Sequence, residues 1–270
     1  AYTLIPDNSV GEFHVSIGRQ LLHQLSEEEL AQNAFLVANL LLPYAVSIVQ
    51  NQTERDEVAE LFFTTGSRAA QSSAFEDAAT YFGMGIQLLS RDHWKQRYPF
   101  SLRLHNGLAE MESCLGRAER VDEVVETILK NAGCFQDELQ AYETKIYSLS
   151  ARNKPHEAIQ LGFSVLRQLG ERFPRRPGIV RTLTELMTTS FTKRNKTSKQ
   201  AQQLRPLRKW TKVAALRIIS LIFPAVVRVQ PEFAFVVVAR GIKITLRHGL
   251  SPISSFTFAA FGFLVCHPLG

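Results

Sequence analysis

Phe75, Ala78, Phe82 and Gly85 stand at offsets 0, 3, 7 and 10 along the chain. The same offsets recur in Ala118, Val121, Val125 and Ile128, and again in Pro155, Ala158, Gly162 and Val165. Small or apolar residues so spaced line one stripe of an α-helix. A stripe that narrow cannot close a core alone. Its recurrence predicts stacked helical hairpins, each burying its stripe against a neighbour, rather than one closed globule. The equivalent residues Ala78, Val121 and Ala158 are 43 and 37 residues apart, so the units are long and irregular.

Helix signals continue on both sides. Phe13, Ile17, Leu21 and Leu25 predict a helix over 10–25. Ser26 with Glu29 is a capping box for the next helix, which Pro43 bends or ends. Thr53 with Asp56 starts another near residue 54. In the first hairpin Phe62, Gly66 and Ala69 line one helix; Phe75, Ala78, Phe82 and Gly85 line the other. The second hairpin starts near Pro99 and turns around Gly116, with Ala109 and Val121 on its packing stripe. The third uses Tyr142, Ile146 and Leu149, then Pro155 to Leu169, with Ala158 and Gly162 packing and Gly170 capping. Pro174 and Pro177 then open a turn, and Thr192 to Pro206 reads as an exposed basic loop. Three strongly apolar helices follow at about 209–223, 232–247 and 252–265, with Ser251 as cap of the last. The fold class expected is all-α: a helical-hairpin solenoid divided into 1–52, 53–170, 171–208 and 209–270.

Composition sets the outer bounds. With 45% hydrophobic and 21% charged residues, the chain is not disordered throughout. Cys114, Cys134 and Cys266 form no CxxC pair, and they read as free, buried thiols of a reducing, cytoplasmic compartment. The chain begins at Ala1 rather than Met and ends in an apolar run, which reads as a fragment of a larger polypeptide. No basic flank and apolar core mark a signal peptide. The longest uncharged stretch follows Arg247, but Pro252, Ser254, Ser255, His267 and Pro268 interrupt it, so no membrane span is expected there.

Charge is uneven. From Arg172 to Arg217 thirteen Lys/Arg face one acid, Glu185, a local +12 against +6 for the whole chain. Lys193, Arg194, Lys196, Lys199, Arg205, Arg208, Lys209 and Lys212 form a candidate patch for an anionic partner. Trp210 is the one aromatic there for base stacking, so nucleic acid is not the expected partner, and neither is a membrane.

Motifs of catalysis are missing. No G-x-x-x-x-G-K-[ST] loop occurs to cradle phosphate, and no HRD or DFG motif. Gly83 and Gly85 form a GxG inside a predicted helix, where packing explains it. His156–Glu157 lacks the second His of a zinc site. Ser190 to Lys193 spells S-x-x-K but leads into the polar loop. No catalytic, cofactor or metal residue is assigned.

The hairpin pattern resembles the tetratricopeptide repeat, whose period is about 34 residues. Gly66, Ala78, Gly85, Ala109, Ala158 and Gly162 match its small crossing residues; His105 and Glu112 depart from the large apolar ones expected. A wider resemblance covers almost the whole chain. AYTLIPDNSVGEFHVSIGRQLL, with Tyr2, Leu4, Ile5, Pro6, His14, Ile17, Gly18, Arg19, Leu21 and Leu22, is similar to the segment closing an Orc1-like AAA module in signal-transduction ATPases. RHGLSPISSFTFAAFGFLV, Arg247 to Val265, resembles a later segment of the same helical region. The resemblance implies that 1–52 closes an upstream ATPase, that ATP binds in the parent chain and not here, and that a protein kinase is joined to it. This segment would then be a non-catalytic scaffold touching protein partners or neighbouring domains. The alternative is a stand-alone module that binds acidic partners or nucleic acid through 172–217.

Overall fold

The computed structural model describes residues 10–49, 51–173 and 205–266, and every regular element in them is an α-helix. In chain order these are α1 (Val10–Gln24), α2 (Glu27–Leu41), α3 (Ala45–Ile48), α4 (Gln52–Gln71), α5 (Phe75–Leu88), α6 (His93–Gln96) and α7 (Tyr98–Cys114). Then come α8 (Ala118–Asn131), α9 (Phe135–Ala151), α10 (Pro155–Gln168), α11 (Trp210–Val229), α12 (Pro231–His248) and α13 (Ser254–Cys266). An isolated bridge pairs Pro206 with Leu250.

Three of the turns share one construction. Ser73 (φ 63°), Gly116 (φ 71°) and Asn153 (φ 58°) each take the left-handed conformation two residues before α5, α8 and α10 begin. Ala74 N donates to Ala69 O and Ser73 N to Ala70 O. Arg117 N to Glu112 O with Gly116 N to Ser113 O, and Lys154 N to Leu149 O with Asn153 N to Ser150 O, repeat that pair of bonds. Each is a Schellman cap, which satisfies carbonyls that a helix end leaves bare. Gly170 (φ 84°) makes the same turn after α10, where Glu171 N reaches Leu166 O. The helices α5, α8 and α10 are each 14 residues long. Ser73, Gly116 and Asn153 keep the 43- and 37-residue spacing of Ala78, Val121 and Ala158, which are fully buried.

Contacts divide the chain into two compact units, Ala1–Ala141 and Tyr142–Gly270, with the boundary inside α9. In the first, α1 packs on α2, α2 on α4, α4 on α5, α5 on α7 and α7 on α8. Phe62, Leu41, Leu88, Leu104 and Ile128 are fully buried there. Side chains pack directly on the glycines: a Cβ at Gly66 would stand 3.0 Å from the Phe82 ring, and one at Gly85 3.0 Å from the Leu104 side chain. Ala69 and Ala109 are fully buried, while Phe75 is half-buried at the start of its helix. His105 and Glu112 are buried despite their polarity. His105 Nδ1 donates to Ser101 O at 2.8 Å, and Glu112 Oε2 lies 3.5 Å from Arg117 Nη1. The second hairpin therefore closes with polar groups inside it.

In the second unit α10 packs on α11, α11 on α12 and α12 on α13. Ala158 and Val165 are fully buried, and a Cβ on Gly162 would overlap Ile222 Cγ2.

Several expectations change. All three cysteines are exposed: Cys114 and Cys266 are the last residues of α7 and α13, and Cys134 precedes α9, so none lies on an inward stripe. Asn51, not Thr53, caps α4, its side chain accepting from Thr53 N. The helix read as 209–223 runs on to Val229 with Pro224 inside it. Burial of Phe223, Ala225 and Val226 on both sides of Pro224 outweighs the lost hydrogen bond and ring clash of an interior proline, together about 3 kcal/mol. Ser251 does not cap α13 through its side chain; Ser254 Oγ instead accepts from Ser251 N at 3.0 Å. The capping box of Ser26 and Glu29 is present with both hydrogen bonds. The turn at Pro174 and Pro177, and most of the expected loop, lie outside the described residues, as do Tyr2 to Pro6.

Candidate functional site

Of the eight cations singled out by sequence, the four that are described do not share one surface. Lys193, Arg194, Lys196 and Lys199 lie outside the described residues, together with Ser190. Arg205, Arg208 and Lys209 are exposed. Lys212 is turned inward: its Nζ lies 2.5 Å from Glu171 Oε1, and Arg240 Nη1 stands 3.0 Å from Glu171 Oε2. Glu171 is 6% exposed, placed by the cap at Gly170. Burial alone would push its carboxyl up; hydrogen bonds from Lys212 and Arg240, with their charges, hold it below the usual carboxylate range. The Arg240 guanidinium also lies 5.3 Å from the centre of the Phe173 ring. Lys212 is thus committed to the interior and leaves the anion-facing set. No local pattern could reveal this, because Glu171 is 41 residues away.

One residue not included by sequence reasoning, Arg247, joins the exposed cations. Leu207 N donates to Leu250 O at 2.7 Å and Leu250 N to Arg205 O at 2.9 Å. These bonds pin residues 205–209 beside the end of α12, where Arg247 and His248 are exposed. Gly249 (φ 116°) makes the approach possible, since a Cβ there would overlap Arg205 O. Trp210 is 43% exposed and Leu250 37%. Among the described residues no carboxylate pairs with Arg205, Arg208, Lys209 or Arg247. Residues 142–270 carry a formal +16 and residues 1–141 a formal −10.

In the first unit a cleft of about 460 Å³ opens between α4 and α7. Phe63 and Phe100 meet edge to face at 5.7 Å along it. The Arg103 guanidinium lies 4.2 Å from the centre of the Phe63 ring, and that of Arg97 4.6 Å from Phe100. Arg97 also pairs with Glu60 and with Asp56, the latter at 3.3 Å. Arg103 has no carboxylate partner among the described residues. The cleft therefore presents two aromatic rings and a guanidinium without a carboxylate partner among the described residues. In the second unit Phe163, Phe173 and Phe233 line a cleft of about 250 Å³.

The packing residues named from sequence, Gly66, Phe75, Ala78, Phe82, Gly85, Ala109, Val121, Ala158 and Gly162, all lie on helix-packing faces, Phe75 at the edge. His93 and His105 stack at 5.6 Å, with interplanar angle 11°, beside Trp94. Among the described residues no three His, Cys, Asp or Glu side chains are grouped to hold a metal ion. None of the described helices is long and apolar enough to cross a membrane.

No family model and no solved structure matches the chain. Over 257 aligned residues it is 21% identical to the hybrid signal transduction histidine kinase G of Dictyostelium discoideum. The match covers 82% of this chain but 7% of the kinase, so the chain spans a small part of that relative's length. What is established is an all-helical chain similar to one segment of a signalling histidine kinase.

Proposed function

We propose that this chain is a non-catalytic, tetratricopeptide-like scaffold or regulatory segment of a cytoplasmic multidomain signalling protein. It follows an Orc1-like AAA ATPase in the parent chain and passes conformational state between that ATPase and a protein kinase or other effector. The observation that carries the reading is the alignment of most of this chain with a segment of a hybrid histidine kinase. The three equivalent Schellman turns support it, since they give hairpins of matched construction. Protein partners or neighbouring domains would seat in the cleft between α4 and α7, where Phe63, Phe100 and Arg103 are presented. ATP binds in the parent chain, not in this segment.

The test is the coding sequence upstream of Ala1. A G-x-x-x-x-G-K-[ST] loop there, within an ATPase module, is the expected result. An upstream sequence without a nucleotide-binding module overturns the reading.

A further inference from the structure

We propose that the exposed basic corner formed by residues 205–210 and 247–250 docks peripherally on an anionic lipid surface. This is independent of the scaffold reading. It departs from the expectation drawn from sequence, in which a membrane was not the expected partner.

Three observations carry it. Arg205, Arg208, Lys209 and Arg247 are exposed, and among the described residues none of them has a carboxylate partner, so their charge is available to a surface. Cations of this kind are drawn to anionic headgroups. Trp210 and Leu250, 43% and 37% exposed, stand among them. Tryptophan and leucine beside basic residues favour the boundary between headgroups and acyl chains. The backbone at the tip is already satisfied: Leu250 N donates to Arg205 O, and Leu250 O accepts from Leu207 N. Leu250 can leave water without stranding its peptide groups, which an ordinary exposed loop cannot do.

Other anionic partners fit less well. Neither cleft described above includes these residues. Single-stranded nucleic acid needs successive stacking platforms, and Trp210 stands alone here.

The experiment uses the whole 270-residue chain and vesicles of phosphatidylcholine, with or without phosphatidylserine, in co-sedimentation. Binding is expected to the phosphatidylserine vesicles alone and to weaken as salt rises. Tryptophan emission should shift to the blue on binding, and Trp210→Phe should remove that shift. Charge reversal at Arg205→Glu, Arg208→Glu and Arg247→Glu together should weaken binding by about 100-fold or more. These side chains are exposed, and circular dichroism verifies that the variants fold. Leu250→Asp should weaken binding with the charge intact. No binding to phosphatidylserine vesicles at low salt overturns the proposal. So does binding that ignores the reversed charges, or binding that leaves Trp210 emission and the Leu250→Asp variant unaffected. Binding of an oligothymidylate probe with the same charge dependence, and no vesicle binding, overturns it in favour of nucleic acid.

Discussion

Replacing His105 by Gln should remove part of the chain's sensitivity to acid. His105 is 5% exposed in α7, with the Trp94 ring 4.7 Å away and His93 stacked at 5.6 Å. Burial is the main force pushing its pKa down to about 4. The hydrogen bond to Ser101 O opposes that shift, and the nearby His93 adds to it. The sign follows from proton uptake. Above the ordinary value of 6.5 the imidazole is neutral in folded and unfolded chains alike. As pH falls below 6.5 the unfolded chain takes a proton that the folded chain refuses until about 4. Stability is lost across that window and levels off beneath it. At about 1.4 kcal/mol for each pH step, the loss totals roughly 3 kcal/mol. That is a large share of the 5–15 kcal/mol, roughly, that holds a domain together. Carboxylates titrate in the same range, and burial lowers His93 too, so the useful quantity is the difference between wild type and His105→Gln. Gln keeps a donor for Ser101 O and cannot ionise. Urea unfolding followed through Trp94 fluorescence, in a Trp210→Phe background, reports this unit. The gap between the two proteins should narrow by roughly 3 kcal/mol between about pH 7 and about pH 4. An unchanged gap would refute a neutral, buried imidazole at this position.

Four further outcomes follow from the packing and the motifs. Glu171→Gln leaves Lys212 and Arg240 facing a neutral amide in a mostly buried site, at a cost of about 3–5 kcal/mol in denaturant unfolding. Because the Glu171 carboxyl is held below its usual range, its contribution is full above the unfolded value and disappears as pH falls through the folded one, so the variant should lose this acid-dependent step. Gly162→Ala should destabilise by about 1–3 kcal/mol, since the overlapping Ile222 Cγ2 belongs to a fully buried, branched side chain. Gly83→Ala meets nothing within 4 Å and should stabilise by up to about 1 kcal/mol in thermal melts. The purified chain should hydrolyse no ATP above background, and turnover by a contaminant-free sample would defeat the non-catalytic reading.

The helices were legible because their signal is local. The stripe through Ala78, Val121 and Ala158 depends on residues within three turns, and each of these is fully buried. The capping box at Ser26 is equally local. The turns were half legible. Gly116 announces a left-handed residue, whereas Ser73 and Asn153 take the same conformation although both carry a Cβ. Their shared spacing, rather than their identity, was the available clue. Pro224 misled for a related reason. A proline in a helix interior costs about 3 kcal/mol, but only tertiary burial decides whether the helix continues. The free cysteines misled because a small hydrophobe was assumed to follow its stripe, and all three sit at helix ends or turns.

The basic region shows where a linear reading stops. Arg208 and Lys212 are four residues apart and carry the same formal charge. Arg208 meets solvent, while Lys212 faces Glu171 across a sequence gap of 41 residues. Glu171 stands there because Gly170 turns the chain back at the end of α10. In the opposite sense Arg247 lies beyond the charge-rich run, yet Gly249 brings it beside Arg205 by leaving room for the carbonyl of that residue. Counting charges along the chain therefore overstates the surface at Lys212 and understates it at Arg247. Two glycines with left-handed backbones, rather than the density of Lys and Arg, select which of these cations meet solvent. The separation can be made experimentally. Gly249→Ala must displace the 205–209 segment and scatter the exposed cations, while the ion cluster around Glu171, built on Gly170, keeps its own hydrogen bonds.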